Sequence, residues 1–314
     1  MERSARTRFG ALGAVLAVLL ATLLGACSDG SEGSPEESPT TAAGPVLAVK
    51  IDNAPPARPQ TGLNAADVVY AEQVEAGLSR LMALYATRLP NSVGPVRSAR
   101  ESDLELLAQF PNPTLVFSGA QSKLLPLIDA APLRPVTPRD APAGAFVRDR
   151  ERSAPYNLYV RPPRVQDETA GAKALERAGF RTGQPPGGGE PVAERTVRFP
   201  SARFTFTWSA QQKRWGIAID GSRAVEPDGT AVTAATVVIQ RVEVKESQFQ
   251  DFRGSNSPLT VTVGSGGAEM LRDGRAYPGE WKRTSVRGGT TFTTRDGDPL
   301  NIADGPVWVM LVAR

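Results

Sequence analysis

The sequence predicts an α+β fold of mixed character: an N-terminal α/β domain at residues 46–180, then an antiparallel β-rich C-terminal domain at residues 195–314. Three observations carry this. Up to residue 180, apolar runs of strand length are interspersed with stretches of helical periodicity. A Gly/Pro-rich break, "RTGQPPGGGEP" at 181–191, then interrupts regular structure within a linker at 181–194. Beyond it, runs such as "ARFTFTW", "ATVVIQRVEV" and "VWVMLVAR" have strand-like patterning, with Asp-Gly pairs at Asp228-Gly229, Asp273-Gly274 and Asp296-Gly297 that suit hairpin turns. A barrel or a sandwich is the expected form of this second part.

The elements follow in order. "VLAVKI" reads as a short buried strand ending at Asp52-Asn53, and "ADVVYAEQV" and "LSRLMALYAT" read as two strands around a turn at Glu75-Ala76-Gly77. Ser98 and Glu101 make the S-x-x-E pattern of a capping box, so a helix is expected just after Ser98, with Leu104, Leu107 and Ala108 facing inward. "TLVFSG" is a strand, "QSKLLPLI" a short helix and "GAFVR" a strand. "QDETAGAKALERAGF", residues 166–180, reads as a helix stopped by Gly179. Trp281 and Trp308 are expected in the core.

The first residues are an address. Arg3, Arg6 and Arg8 precede the apolar run "FGALGAVLAVLLATLLGAC", which has the length and small-residue end of a secretory signal, residues 1–26. Leu24-Gly25-Ala26-Cys27 resembles a bacterial lipobox, which implies lipidation at Cys27 and anchoring on the extracytoplasmic face of a bacterial membrane. Cys27 is the only cysteine, so lipidation leaves no thiol for disulfides, metal or catalysis. Residues 27–45, with the Ser/Gly/Pro/Glu-rich "SDGSEGSPEESPTTAAGP", read as a disordered tether. Residues 1–26 hold three Arg and one Glu and the tether four acids, so a formal charge of +3 becomes +5 on residues 46–314. That mild basic bias suits anionic lipids or wall polymers, and no nucleic-acid partner is expected.

Several stretches carry a family likeness: "AVKIDNAPPARPQTGLNAADVVYAEQVEAGLSRLMALY", "VGPVRSAR", "RSAPYNLY" and "RDGRAYPGEWKR" with "DGDPLNIADGPVWVML". Together they resemble the YerB-like bacterial lipoproteins, a family of unknown function with an N-terminal and a C-terminal part. The resemblance implies an envelope lipoprotein with a two-part α/β fold and no established reaction. It also implies that histidine often stands at the position of Tyr156. This chain has no histidine, so any family activity resting on that imidazole would be absent or would use another group.

The candidate site is the stretch around "VGPVRSAR". Arg97 and Arg100 flank the expected helix start, where guanidiniums oppose the helix dipole and something must offset them. With free backbone N–H groups they would form a cradle for phosphate, pyrophosphate, sulfate or carboxylate. Internal pairing with Asp52, Asp67, Glu72 or Glu75 is the competing reading, since a carboxylate in an apolar strand needs a partner. Spacing places Glu75 on the face of Val69 and Ala71, and Glu72 on that of Val68 and Tyr70. Asp52 and Asn53 close a strand end, a place for a ligand or simply for a turn. The ligand-binding candidates are therefore Arg97, Ser98, Arg100, Asp52, Asn53, Glu72 and Glu75.

Other chemistries are excluded by composition. Without His or an available Cys there is no Ser-His-Asp triad, Cys-His dyad or His-ligated zinc. No cofactor is evident, and a carboxylate-bound divalent metal stays open. The expectation is a binding or accessory module for a phosphate- or carboxylate-bearing ligand. Its partners are the membrane through the anchor and a wall polymer, phospholipid headgroup or envelope protein. The alternative is an enzyme on phosphate-bearing or glycan envelope substrates with a divalent metal. In residue types and order the cluster is similar to the LytR-CpsA-Psr phosphotransferases. An interaction scaffold would instead have both arginines fully paired internally.

Overall fold

The computed structural model describes residues 45–167, 171–251 and 254–314; the expected signal segment, Cys27 and nearly all of the expected tether lie outside the described residues. The first expected strand is β1 (Leu47–Asp52), followed by β2 (Val68–Gln73) and β3 (Ser79–Tyr85). β3 runs antiparallel between the other two. Next come α1 (Glu101–Leu107), β4 (Thr114–Val116), α2 (Leu125–Ala130) and β5 (Arg134–Val136). β4 pairs parallel with β1, and β5 parallel with β4. β6 (Phe146–Arg148) and β7 (Leu158–Val160) pair with each other, and α3 (Ala172–Arg177) ends at Gly179, whose φ of +110° only glycine adopts freely.

β8 (Glu190–Pro191) closes the Gly/Pro stretch. A five-stranded sheet follows: β9 (Glu194–Phe199), β10 (Ala202–Ser209), β11 (Arg214–Ile219), β12 (Ser222–Arg223) and β13 (Thr233–Ala234). The remaining strands are β14 (Thr236–Gln250), β15 (Asn256–Val261), β16 (Gly264–Arg272), β17 (Arg275–Arg283), β18 (Thr291–Thr294) and β19 (Val307–Ala313). They join the first strands in one mixed sheet of order β18-β17-β16-β14-β19-β2-β3-β1-β4-β5, with β15 on β14 and β8 on β17. β19 lies between β14 and β2, parallel to both, so the last strand of the chain links the two sequence halves. The Asp273-Gly274 pair forms the tight β16–β17 turn with both φ values positive, as its sequence predicts.

Strand alternation sets three layers. Val69, Ala71, Leu81, Ala83, Trp308 and Met310 share one face of the large sheet, which packs on Phe204, Phe206, Trp215 and Ile217 of the five-stranded sheet. Trp308 sits at that seam, its ring 6.2 Å from Phe204 and 6.5 Å from Phe206. Tyr70, Met82, Leu84, Val309 and Leu311 face the other way, onto Leu106 and Leu107 of α1, Ile128 of α2 and Leu175 of α3.

The α/β expectation for the first half needs correction: the described fold is strand-rich around one large mixed sheet, and its helices have only six or seven residues. Proline is the reason around α1 and α2, because Pro111, Pro113, Pro132 and Pro135 stand where those helices would have to extend. The described part of the expected helix at 166–180 is likewise short, with residues 168–170 outside the description. Trp308→Ala should cost about 3–5 kcal/mol, the range for deleting a large buried aromatic, read as a lower urea midpoint with an unchanged slope.

Candidate functional site

The helix-facing side of the sheet carries charge where apolar residues would be the simple choice. In the strand register Asp52 of β1 stands opposite Arg80 of β3, and Arg80 opposite Glu72 of β2. Two residues before Asp52, Lys50 is fully buried on the same face. Its ammonium pairs with Glu72 and, at 2.6 Å, with Asp103 of α1. Burial pushes Glu72 up to about 7, the Lys50 charge opposing and the Asp103 charge adding to the shift. The cluster of two carboxylates and one ammonium thus favours holding a proton on Glu72.

α1 starts later than Ser98 predicts. Its N-cap is Arg100, whose backbone N–H donates to the Asp103 carboxylate at 2.7 Å. The acidic half of the cap therefore comes from Asp103, not Glu101, and the inner face carries Asp103, Leu106 and Leu107 while Leu104 is only partly buried. Ser98 is not a cap; its hydroxyl has a 3.5 Å contact with the Ser118 hydroxyl. The physical reason is that residues 93–99 are held extended. Val93 exchanges both backbone bonds with Val160, and Gly94 both with Thr61. Arg97 N–H donates to the Lys50 carbonyl at 2.8 Å, while its carbonyl accepts from Ser118 N–H at 3.0 Å. The stretch fills the wedge where parallel β1 and β4 part beyond Val49 and Val116, at their C-terminal ends, a usual location for ligand crevices. Gly94 is required by close approach, since a Cβ there would lie 2.7 Å from the Tyr159 ring.

The arginines then divide. Arg100 grips Glu75 with two bonds, Nε to Oε1 at 2.6 Å and Nη2 to Oε2 at 2.8 Å. Glu75 also accepts from the Ser257 hydroxyl, and Arg80 lies 4.0 Å from it. Burial pushes Glu75 up, but the hydrogen bonds and charge of Arg100, with Ser257 and Arg80, hold it at about 2. Glu75 sits in a single 3-10 turn after β2 rather than on a strand face with Val69 and Ala71. Arg80 donates to the Ser98 carbonyl at 3.2 Å; burial and then Arg100 lower it to about 10, which leaves it charged at neutral pH.

Arg97 differs. Its Nε lies 2.9 Å from Asp52 Oδ2 in an ion pair too poorly aligned for a hydrogen bond, and its guanidinium makes no hydrogen bond among the described residues. The guanidinium carbon sits 6.0 Å from the centroid of the Tyr156 ring, at the edge of cation–π range. It faces a cleft of about 650 Å³ lined by Glu75, Arg80, Arg97, Ser98, Arg100 and Glu101, by the apolar Ala120, Leu124 and Pro155, and by Phe249 and Ser257 from the β14–β15 arm. That volume suits a small organic ligand. Glu75 is occupied by Arg100, and Glu101 accepts from the Ser247 hydroxyl.

Four of the seven candidates thus line one cleft: Arg97, Ser98, Arg100 and Glu75. Asp52 stands behind Arg97, with Oδ1 accepting the Ala54 N–H in a turn. Asn53 bonds Ser79, Arg58 and Gln60 away from the cleft, and Glu72 lies beneath α1. Asp67 caps Ala86 and Thr87 instead of pairing with an arginine. Sequence reading missed Lys50, Arg80 and Asp103. Lys50 had a signal, because it shares a strand face with Asp52 inside an otherwise apolar run. Nothing in the sequence announces the arm residues, more than 140 positions beyond Arg100.

Glu72 and Glu75 give opposite pH dependences. Between the unfolded value of 4.5 and about 7 the native state keeps a proton on Glu72 that the unfolded chain releases, so stability falls as pH rises through that window. The stability contributed by Glu75 is present above 4.5 and lost as pH falls towards 2. Glu72→Gln should remove the first slope, worth up to about 3 kcal/mol at 1.36 kcal/mol per pKa unit, and leave the acid limb intact, as read from urea midpoints across pH 4 to 9.

Known proteins share this architecture. The model described as "Protein of unknown function (DUF3048) N-terminal domain" matches residues 32–176, and the corresponding C-terminal domain matches residues 195–309. The chain is 25% identical over 281 residues to the Bacillus subtilis (strain 168) protein named "Putative lipoprotein YerB", covering 85% of this chain and 80% of that one. The crystal structure of YerB from Bacillus subtilis superposes with a TM-score of 0.70 at 21% identity, over 86% of this chain and 91% of that one, which shows a common fold. With both parts matched in order along most of its length, the chain belongs to the DUF3048 family of YerB-like proteins, a family of unknown function.

Proposed function

We propose that this protein is a membrane-anchored extracytoplasmic lipoprotein whose cleft binds a phosphate- or carboxylate-bearing ligand, and that it works as an envelope binding or accessory module. The lipobox-like Leu24-Gly25-Ala26-Cys27 and the lipoprotein name of the Bacillus subtilis relative support the anchor. One observation carries the binding: Arg97 lines the cleft with its Nε on Asp52 and with no hydrogen bond from its terminal N–H groups among the described residues, while Glu75, Glu101 and Asp251 on the cleft wall already have donors. A guanidinium offers a planar fork that matches phosphate or carboxylate oxygens, and Arg80 and Ser98 stand beside it. Arg100, bound bidentately to Glu75, holds the wall.

The enzymatic alternative needs a carboxylate-bound metal beside the arginines. Among the described residues no three His, Cys, Asp or Glu side chains are placed to hold one. Glu72 and Asp103 come together, but around the Lys50 ammonium, which already supplies their cation. These donors do not fit a metal, and the binding reading is the better supported.

Thermal unfolding of residues 45–314 with pyrophosphate, with and without Mg²⁺, tests this. A ligand at a hundredfold its Kd adds about 2.7 kcal/mol, so wild type should melt higher. Arg97→Gln should still fold, from a lower starting melting temperature because the buried Asp52 loses its cation, and should lose the shift. Arg100→Ala should melt early without any ligand, because it leaves the buried Glu75 without its cation. A full shift in Arg97→Gln, or a wild-type shift that appears only with Mg²⁺, would contradict the proposal.

A further inference from the structure

The cleft lining is chemically mixed. Beside the polar Arg97, Ser98, Gln121 and Asp251 it holds Leu124 and Phe249, apolar groups that a free inorganic anion does not use. Leu124 opens α2, and the residues after it are unusual for a protein surface. Leu125 is 38% exposed and Leu127 43%, two of the four large hydrophobic side chains left open among the described residues. Lys123, just before Leu124, is exposed as well. A basic residue, a cleft-lining leucine and two outward leucines within five positions form an apolar lip with a cation on it, a composition suited to the boundary between headgroups and acyl chains.

We infer that the ligand of this cleft is a phosphate carried on an aliphatic lipid chain, its head on Arg97 and its chain along Leu124 and Phe249 toward Leu125 and Leu127. This rests on the anion-binding reading above and deepens it. Three features support the choice. The terminal N–H groups of Arg97 make no hydrogen bond among the described residues while its Nε pairs with Asp52, and the Ser98 hydroxyl is held only by a 3.5 Å contact, so donors for a phosphate head are available at this end of the cleft. The cleft of about 650 Å³ has room beyond a phosphate head. The cleft-lining Leu124 is followed in sequence by the exposed Leu125 and Leu127.

The test uses residues 45–314, which hold every described strand and helix, with three probes at fixed ionic strength: inorganic phosphate, octyl phosphate below its micelle concentration, and octyl glucoside as the uncharged control. Calorimetry should show octyl phosphate binding at least tenfold more tightly than phosphate, with octyl glucoside much weaker. Arg97→Gln should weaken both anions. Leu125→Ser/Leu127→Ser, which alters only exposed side chains, should leave inorganic phosphate binding unchanged and narrow the advantage of octyl phosphate over it. Equal affinity for phosphate and octyl phosphate would overturn the inference and leave anion binding standing. Octyl glucoside binding as tightly as octyl phosphate would also overturn it, and failure of every anion to bind would remove both readings.

Discussion

A lysine ammonium sealed under a helix is the constraint around which the first half of this fold is arranged. Lys50 has no solvent contact and joins β1 to β2 through Glu72 and to α1 through Asp103. Removing Asp103 would leave the buried ammonium short of its anion, a change that typically costs about 3–5 kcal/mol. The requirement fixes where α1 sits over the sheet. Asp103 is tied at both ends, to Lys50 through Oδ1 and to the Arg100 N–H through Oδ2. The start of the helix and the buried cation are therefore one arrangement, and the 93–99 stretch is pinned beside it through the Lys50 carbonyl.

From that arrangement the arginines acquire different jobs. Arg100 and Arg80 surround Glu75, whose carboxylate also receives Ser257 from the β14–β15 arm. The arm makes parallel attachments along α1: Ser247 donates to Glu101, Thr260 N–H to Ser102 Oγ, and Thr262 N–H to Glu105. Its apolar Phe249 then completes the cleft. The second sequence half supplies a wall to a site whose arginines come from the first. β19, inserted between β14 and β2, is what brings the halves into that relation.

Much of this is legible in the sequence where local rules decide. Alternating apolar strands, the Asp273-Gly274 turn, the Gly179 stop and the gathering of Arg97 and Arg100 at a helix start all follow from periodicity and turn chemistry. The helix start itself is displaced, because Ser98-x-x-Glu101 and Arg100-x-x-Asp103 both offer an acidic cap, and the extended pairing of residues 93–99 with the tertiary pull of Lys50 on Asp103 chooses between them. Pairing of Arg100 with Glu75 and of Arg97 with Asp52 is partly readable, since acids at the ends of apolar strands call for cationic partners. Lys50 and Arg80 were passed over because a single charge in an apolar strand declares its burial but not its partner. The arm over α1 and the central place of β19 are products of long-range pairing, for which a single sequence carries no local signal.

The account turns on one asymmetry: Arg100 is committed to Glu75 through two bonds, whereas Arg97 holds Asp52 through Nε alone and keeps its terminal N–H groups for a ligand. Side-chain guanidinium resonances of ¹⁵N-labelled protein during a phosphate titration test it most directly. The terminal N–H groups of Arg97 should shift saturably and become protected from exchange, while those of Arg100, already held by Glu75, should be protected from the outset and stay in place. Protected Arg97 groups in the free protein, or a phosphate response at Arg100 in place of Arg97, would contradict it.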